Sequence, residues 1–117
     1  LYMISRELKA ASSKPLILSI LARGESYGYQ ILQDITQLSG GSWEWSEAML
    51  YPVLKRLHSE GLIDSNWVQL ENGRKRKYYT LTTLGRQSLV DERAHWLNVH
   101  DVLSTLWSDL DPSLIRK

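Results

Sequence analysis

The chain has no cysteine, so neither a disulfide framework nor a cysteine-ligated zinc site is open to it. The same lack fits a reducing cytoplasm, which is the expected compartment. Long apolar runs are missing too. The longest, Leu16-Ile17-Leu18, is followed by Ser19 and Arg23, far short of the ~20 residues of a membrane span. No signal-peptide pattern opens the chain. It begins on Leu1, which leaves Met3 as a candidate natural start, or residues upstream as the alternative. The three histidines, His58, His95 and His100, stand at no metal-ligand spacing; His95 is expected to pair with Asp91 across a helix turn. No Ser-His-Asp order, phosphate-cradling glycine loop or acid pair stands out. The expectation is therefore a non-enzyme with no metal and no cofactor.

What is present is enough apolar material, 43% of 117 residues, for the core of one domain. Net charge is only +1, so its distribution matters more than its sum. Four basic residues run together at Arg74-Lys75-Arg76-Lys77, whereas residues 83–110 carry Asp91, Glu92, Asp101 and Asp109 against Arg86 and Arg93. A basic tip on a near-neutral body suits a protein that meets DNA on one face.

The patterning predicts a mainly α (α+β) fold. Residues 4–11 have the makings of one or two helical turns. Pro15 is placed to open the first long helix, which Gly24 closes. A second helix is expected over about Tyr27 to Leu38, burying Ile31, Leu32, Ile35 and Leu38. Trp43 and Trp45 belong to the next turn, where packing is expected. Ser46 is a good N-cap, with Glu47 in the first turn of a third helix. That helix buries Met49 or Leu50, Val53, Leu54 and Leu57, and Pro52 lies oddly within it. Gly61 ends it. Two strands follow, about Ile63–Leu70 and Lys75–Leu81, joined through Asn72-Gly73, both of which tolerate positive φ. Trp67 should alternate into the core. Thr82 or Thr83 caps a last helix reaching about Ser108, before Asp111-Pro112.

A helix followed by a basic hairpin is a way to grip duplex DNA in two grooves. The third helix offers Ser46, Glu47, Tyr51, Lys55 and Arg56 to a major groove, and the hairpin offers Arg74, Lys75, Arg76 and Lys77 to phosphates or a minor groove. Strand alternation means that one pair of these cations faces DNA while the other turns to the body. Tyr51 has two readings, a hydroxyl donated to phosphate or a half-buried aromatic packed on the second helix. Tyr27 and Tyr29 flank Gly28 at the start of the second helix, where backbone N–H groups suit a phosphate, and one of the two tyrosines is expected in the core. The last helix carries an apolar stripe of Leu89, Trp96, Val99, Leu103, Leu106, Trp107 and Leu110. It is wider than a small core needs and is expected to pair with a second copy as a homodimer.

In order and register these pieces resemble the PadR family of bacterial transcriptional regulators. The matching residues are Tyr27-Gly28-Tyr29-Gln30-Ile31, Leu50-Tyr51-Pro52 with Leu54, Arg56 and Leu57, Gly61-Leu62-Ile63 leading into Trp67, Arg76-Lys77-Tyr78-Tyr79, and Leu81-Thr82 with Gly85. The match covers about residues 16–90. Three departures bear on base specificity: the family usually has a glycine two residues before Leu-Tyr-Pro, where this chain has Ala48; it often has a glutamate where His58 stands; and the acidic Glu47 sits at the end that should enter the groove. The resemblance implies a winged helix-turn-helix with a two-stranded wing and a long C-terminal dimerisation helix. Residues 1–14 would form an N-terminal arm or short helix, 15–82 the DNA-binding domain, 83–110 the dimerisation helix and 111–117 a tail. The expected function is a dimeric repressor on a palindromic operator, released by a small-molecule effector. Some family members bind planar hydrophobic or aromatic compounds at the dimer interface, which makes Trp96 and His100 the candidate effector site. The rival reading is a winged helix used as a protein-interaction module without sequence-specific DNA binding.

Overall fold

The structure, a computed structural model, describes residues 3–114; the ends of the expected arm and tail lie outside them. Helix α1 spans Arg6–Ala22. Ser5 caps it by accepting the Leu8 N–H, and Glu7 complements the dipole of its first turn. The break expected at Pro15 does not occur. Proline removes one N–H and leaves the Ala11 carbonyl without its bond, but Ala11 is exposed and water can serve it. Beyond Pro15, burial of Ile17, Leu18, Ile20 and Leu21 holds the helix on course. Pro52 is tolerated in the same way, since Ala48, whose carbonyl it frees, is also exposed.

A two-residue strand, β1 (Ser26–Tyr27), precedes α2 (Gly28–Leu38); the sequence reading had no such strand. Helix α2 buries Ile31 and Ile35 and half-buries Leu32. Leu38, expected inside, is exposed at the helix end. Helix α3 (Glu47–Ser59) starts at Ser46, whose hydroxyl accepts the Met49 N–H at 3.3 Å. It buries Leu50, Leu54 and Leu57. Trp43 and Trp45, just before it, pack against the core as expected. At its end Gly61 takes φ +77°. The Leu62 N–H then reaches the Leu57 carbonyl and the Gly61 N–H reaches that of His58, each at 3.0 Å. This is a Schellman stop, with Gly61 in the left-handed conformation.

Strands β2 (Ile63–Gln69) and β3 (Lys75–Leu81) pair antiparallel, Ile63 opposite Leu81 and Gln69 opposite Lys75. Strand β1 adds to the outer edge of β3, giving the order β1-β3-β2. In the hairpin turn only Gly73 has positive φ. Asn72 contributes differently: its Oδ1 accepts the Arg74 N–H at 3.0 Å.

Helix α4 (Thr83–Ser108) is clamped at its start to the end of α3. The Thr82 hydroxyl donates to the Gly61 carbonyl (2.7 Å) and accepts the Gly85 N–H (3.0 Å). A Cβ on Gly85 would lie 2.0 Å from the Leu62 carbonyl oxygen, so only glycine allows this approach. The first half of α4 packs on α1, where Lys14 Nζ lies 3.9 Å from Glu92 Oε1. At 1.5 Å per residue the helix is about 39 Å long, and it gives the molecule its 60 Å long axis. The apolar stripe therefore divides. Leu89 is partly buried and packs against the chain's own core, and Trp96 is half-buried. Val99, Leu103, Leu106, Trp107 and Leu110 stand exposed on the projecting half. The expected His95–Asp91 pair does not form among the described residues; His100 Nδ1 instead lies 3.5 Å from Asp101 Oδ1.

Candidate nucleic-acid interface

At 100° per residue, Leu50, Leu54 and Leu57 define the buried face of α3. Ala48 and Pro52 form the opposite, solvent ridge. Tyr51 and Lys55 lie on its wing side. Arg56 lies on the other side, towards α1, where its Nη2 donates to Ser13 Oγ at 3.4 Å. The structure thus separates Arg56 from the cluster in which it was expected. Ser46 and Glu47 are exposed at the helix start.

Alternation along β3 sorts the four basic residues. Lys75 and Lys77 share a face with Tyr79, the residue that anchors β3 in the core. That face looks towards α3. Arg76 points the other way, its guanidinium 3.9 Å from the Tyr27 ring centroid, and donates to Tyr78 Oη at 3.3 Å. The hydrogen bond with Tyr78 raises its already high pKa further. Tyr27 and Tyr78 meet edge to face at 5.4 Å. Arg76 and the two rings brace the wing against β1, while Lys75 and Lys77 remain on the groove side. Arg74 lies at the turn.

These elements enclose a cleft of roughly 430 Å³. Tyr27, Gly28 and Tyr29 form one wall, Tyr51 the floor, and Trp67, Leu70, Arg74, Lys75, Lys77 and Tyr79 the other wall, with Arg76 reaching the edge beside Tyr27. A continuation along α3 adds Lys55, His58 and Ser65. None of these lining residues is a carboxylate. The start of α2 opens here: Tyr27 caps it without a side-chain hydrogen bond, so its first-turn N–H groups are left to an outside acceptor. A Cβ on Gly28 would sit 2.4 Å from Tyr51 Oη, so the glycine makes room for the hydroxyl where α3 meets the start of α2. Burial pushes the Tyr79 phenol above its ordinary pKa, and Tyr51 adds to the rise. Tyr79 therefore stays neutral as a packing group.

Trp67 was expected in the core and is 63% exposed. Its parity was read correctly, since it shares a face with buried Ile63. Four residues along a strand is about 13 Å, however, and the wing has by then run past the helices. It stands opposite Lys77, whose Nζ is 5.7 Å from its ring centroid. Tyr29, which with Tyr27 flanks Gly28 at the helix start as expected, lines the site and is exposed, and Trp67 joins it without having been expected there. Trp96 and His100, the candidate effector pair, stand one turn apart on α4, half-buried and exposed respectively.

No helix among the described residues is long and apolar enough to cross a membrane, and no cluster of His, Asp and Glu there could hold a metal ion. The same geometry recurs in known proteins. A transcriptional regulator from Clostridium thermocellum superposes with a TM-score of 0.80 at 28% identity, over 88% of this chain and 97% of that one. A PadR family transcription regulator from Clostridium difficile superposes with a TM-score of 0.70 at 33% identity, over 82% and 98%. The negative transcriptional regulator PadR of Bacillus subtilis is 36% identical over 74% of this chain, which spans only 46% of that relative's length. Residues 17–91 match the transcriptional regulator PadR-like family. The helix-turn-helix, the basic wing and these likenesses agree: the chain is a winged-helix protein that belongs to the PadR-like family of transcriptional regulators.

Proposed function

We propose that this protein is a homodimeric, sequence-specific repressor. The observation that carries the reading is the carboxylate-free cationic cleft between α3 and the wing. Phosphates lying along it would meet Arg74, Lys75, Lys77, the Tyr51 hydroxyl and the open N–H groups of α2. The ridge of α3 would then enter the major groove from its Ser46 and Glu47 end. Glu47 could accept from a cytosine amino group, and Lys55 contacts bases or backbone farther along. Arg76 serves as a brace and Arg56 as a flanking contact.

The exposed stripe Val99, Leu103, Leu106, Trp107 and Leu110 supports dimerisation through α4. Two heads joined in this way would read half-sites one helical turn apart, ~34 Å, on a palindromic operator. Repression is the polarity carried by the name of the Bacillus subtilis relative. A planar hydrophobic effector held near Trp96 and His100 would release the operator by favouring a different spacing of the heads. It acts only if its affinities for the two spacings differ.

The test is charge reversal on the wing. Lys75→Glu with Lys77→Glu should abolish operator binding and leave the dimer intact. Undiminished binding would exclude the wing from the interface. Weak binding that the reversal does not change and that shows no sequence preference would favour a protein-interaction module.

A further inference from the structure

The cations of α3 are split by its solvent ridge. Lys55 stands with the wing on one side, and Arg56 stands on the other. On that second side lies a groove of about 280 Å³, floored by Met49 and Val53, bounded by Ala48 and Pro52 of the ridge and edged by Arg6, Lys9 and Arg56. Arg6, Lys9 and Ser13 follow i, i+3, i+7 spacing and so share one face of α1. Lys9 Nζ donates to the Glu44 carbonyl at 3.1 Å, which ties α1 to the turn before α3. Arg56 spends one guanidinium nitrogen on Ser13 and keeps further N–H donors free. None of the three forms an ion pair with a carboxylate among the described residues. No residue that lines the groove is acidic.

Three cations without carboxylate partners, beside an apolar ridge, can take anions at a fixed distance from that ridge. A major groove is bordered by two phosphate backbones about 12 Å apart. A helix lying in it meets one backbone on each side. The wing and Lys55 account for one.

We infer that Arg6, Lys9 and Arg56 form a second phosphate track, on the far side of α3, which grips the other backbone of the same major groove. The inference rests on the DNA-binding reading above and adds a contact surface to it. It assigns α1 a part in DNA binding as well as in packing. It also leaves Ala48 and Pro52, between the two tracks, as the apolar contacts to base edges; an alanine there suits a thymine methyl. The face of α1 that carries Leu8 and Ala11 is a different one, so a partner helix packed there would not cover the track.

The experiment is a salt series of fluorescence anisotropy titrations on an operator fragment and on scrambled DNA, with wild type and an Arg6→Gln, Lys9→Gln double variant. Phosphate contacts carry no sequence information, so the variant should lose affinity for both DNAs alike. The slope of log K against log salt should fall by about 1 for each cation removed from contact. An Arg6→Lys, Lys9→Arg variant should keep the wild-type slope. An unchanged slope in the double variant, with wild type binding tightly, overturns the second track and leaves the DNA-binding reading standing. Wild type that binds neither DNA overturns that reading itself. Phosphate ethylation interference on wild type gives an answer independent of variant folding. Interfering phosphates on both borders of each half-site are expected, and interference on the wing side alone contradicts the proposal.

Discussion

Two glycines make opposite demands on the same substitution. At Gly28 a Cβ would meet the far end of a side chain, Tyr51 Oη, at 2.4 Å. At Gly85 it would meet backbone, the Leu62 carbonyl oxygen at 2.0 Å, with the Leu81 side chain 2.7 Å away. Tyr51 is 45% exposed and can swing outwards, whereas the Leu62 carbonyl is fixed by the Thr82 N–H at 3.1 Å. Gly28→Ala should therefore cost little stability, since alanine is also the better helix former by about 1 kcal/mol or less at this first position. It should instead move the Tyr51 hydroxyl out of the cleft. A hydrogen bond to a charged group is worth about 1.5–3 kcal/mol, so operator affinity should fall roughly 10- to 150-fold. Gly85→Ala should do the reverse. Overpacking costs about 1–3 kcal/mol or more, a drop of several degrees in Tm for a chain of this size. Thermal melts and operator titrations on both variants, with Tyr51→Phe as reference, check the pair. A Gly28→Ala variant that melts several degrees low yet binds DNA normally would refute the argument.

Leu103→Asp places a carboxylate in the exposed stripe of α4. Losing the leucine alone removes about 1.5–3 kcal/mol per protomer from a dimer contact, so sedimentation should show monomers at micromolar concentration; an undisturbed dimer would locate the interface elsewhere. Tyr79 sets an alkaline limit. Its folded pKa is raised, so the unfolded phenol ionises first, from about pH 10. Its contribution to stability is full below that pH and is lost as pH rises through the folded value. Tyr79→Phe should flatten the alkaline decline in Tm relative to wild type, and parallel declines would contradict the assignment.

Much of the scaffold was legible because single residues dictate it. Ser46, Gly61 and Thr82 each satisfy backbone groups that a helix end leaves open, and those demands are local. Lys75 and Lys77 could be paired from strand alternation, but which pair faced the groove depended on Tyr79 entering the core. The failures were tertiary. Pro15 reads as a helix start until packing on both sides of it carries the helix through. Strand β1 is two residues long and exists only because β3 offers an edge. Trp67 has the parity of a core residue on a strand that outruns its core. Arg56 looked equivalent to Lys55, its sequence neighbour, yet 100° of helix puts them on opposite sides of the ridge.

Specific operator binding is the claim on which the other readings depend. It is tested most directly by titrating the purified protein with a labelled fragment of its own upstream region, against scrambled DNA of equal length, at two salt concentrations. Tight binding to the upstream fragment alone, weakening with salt, is the predicted result. Absence of binding to either fragment at both salt concentrations would contradict the account.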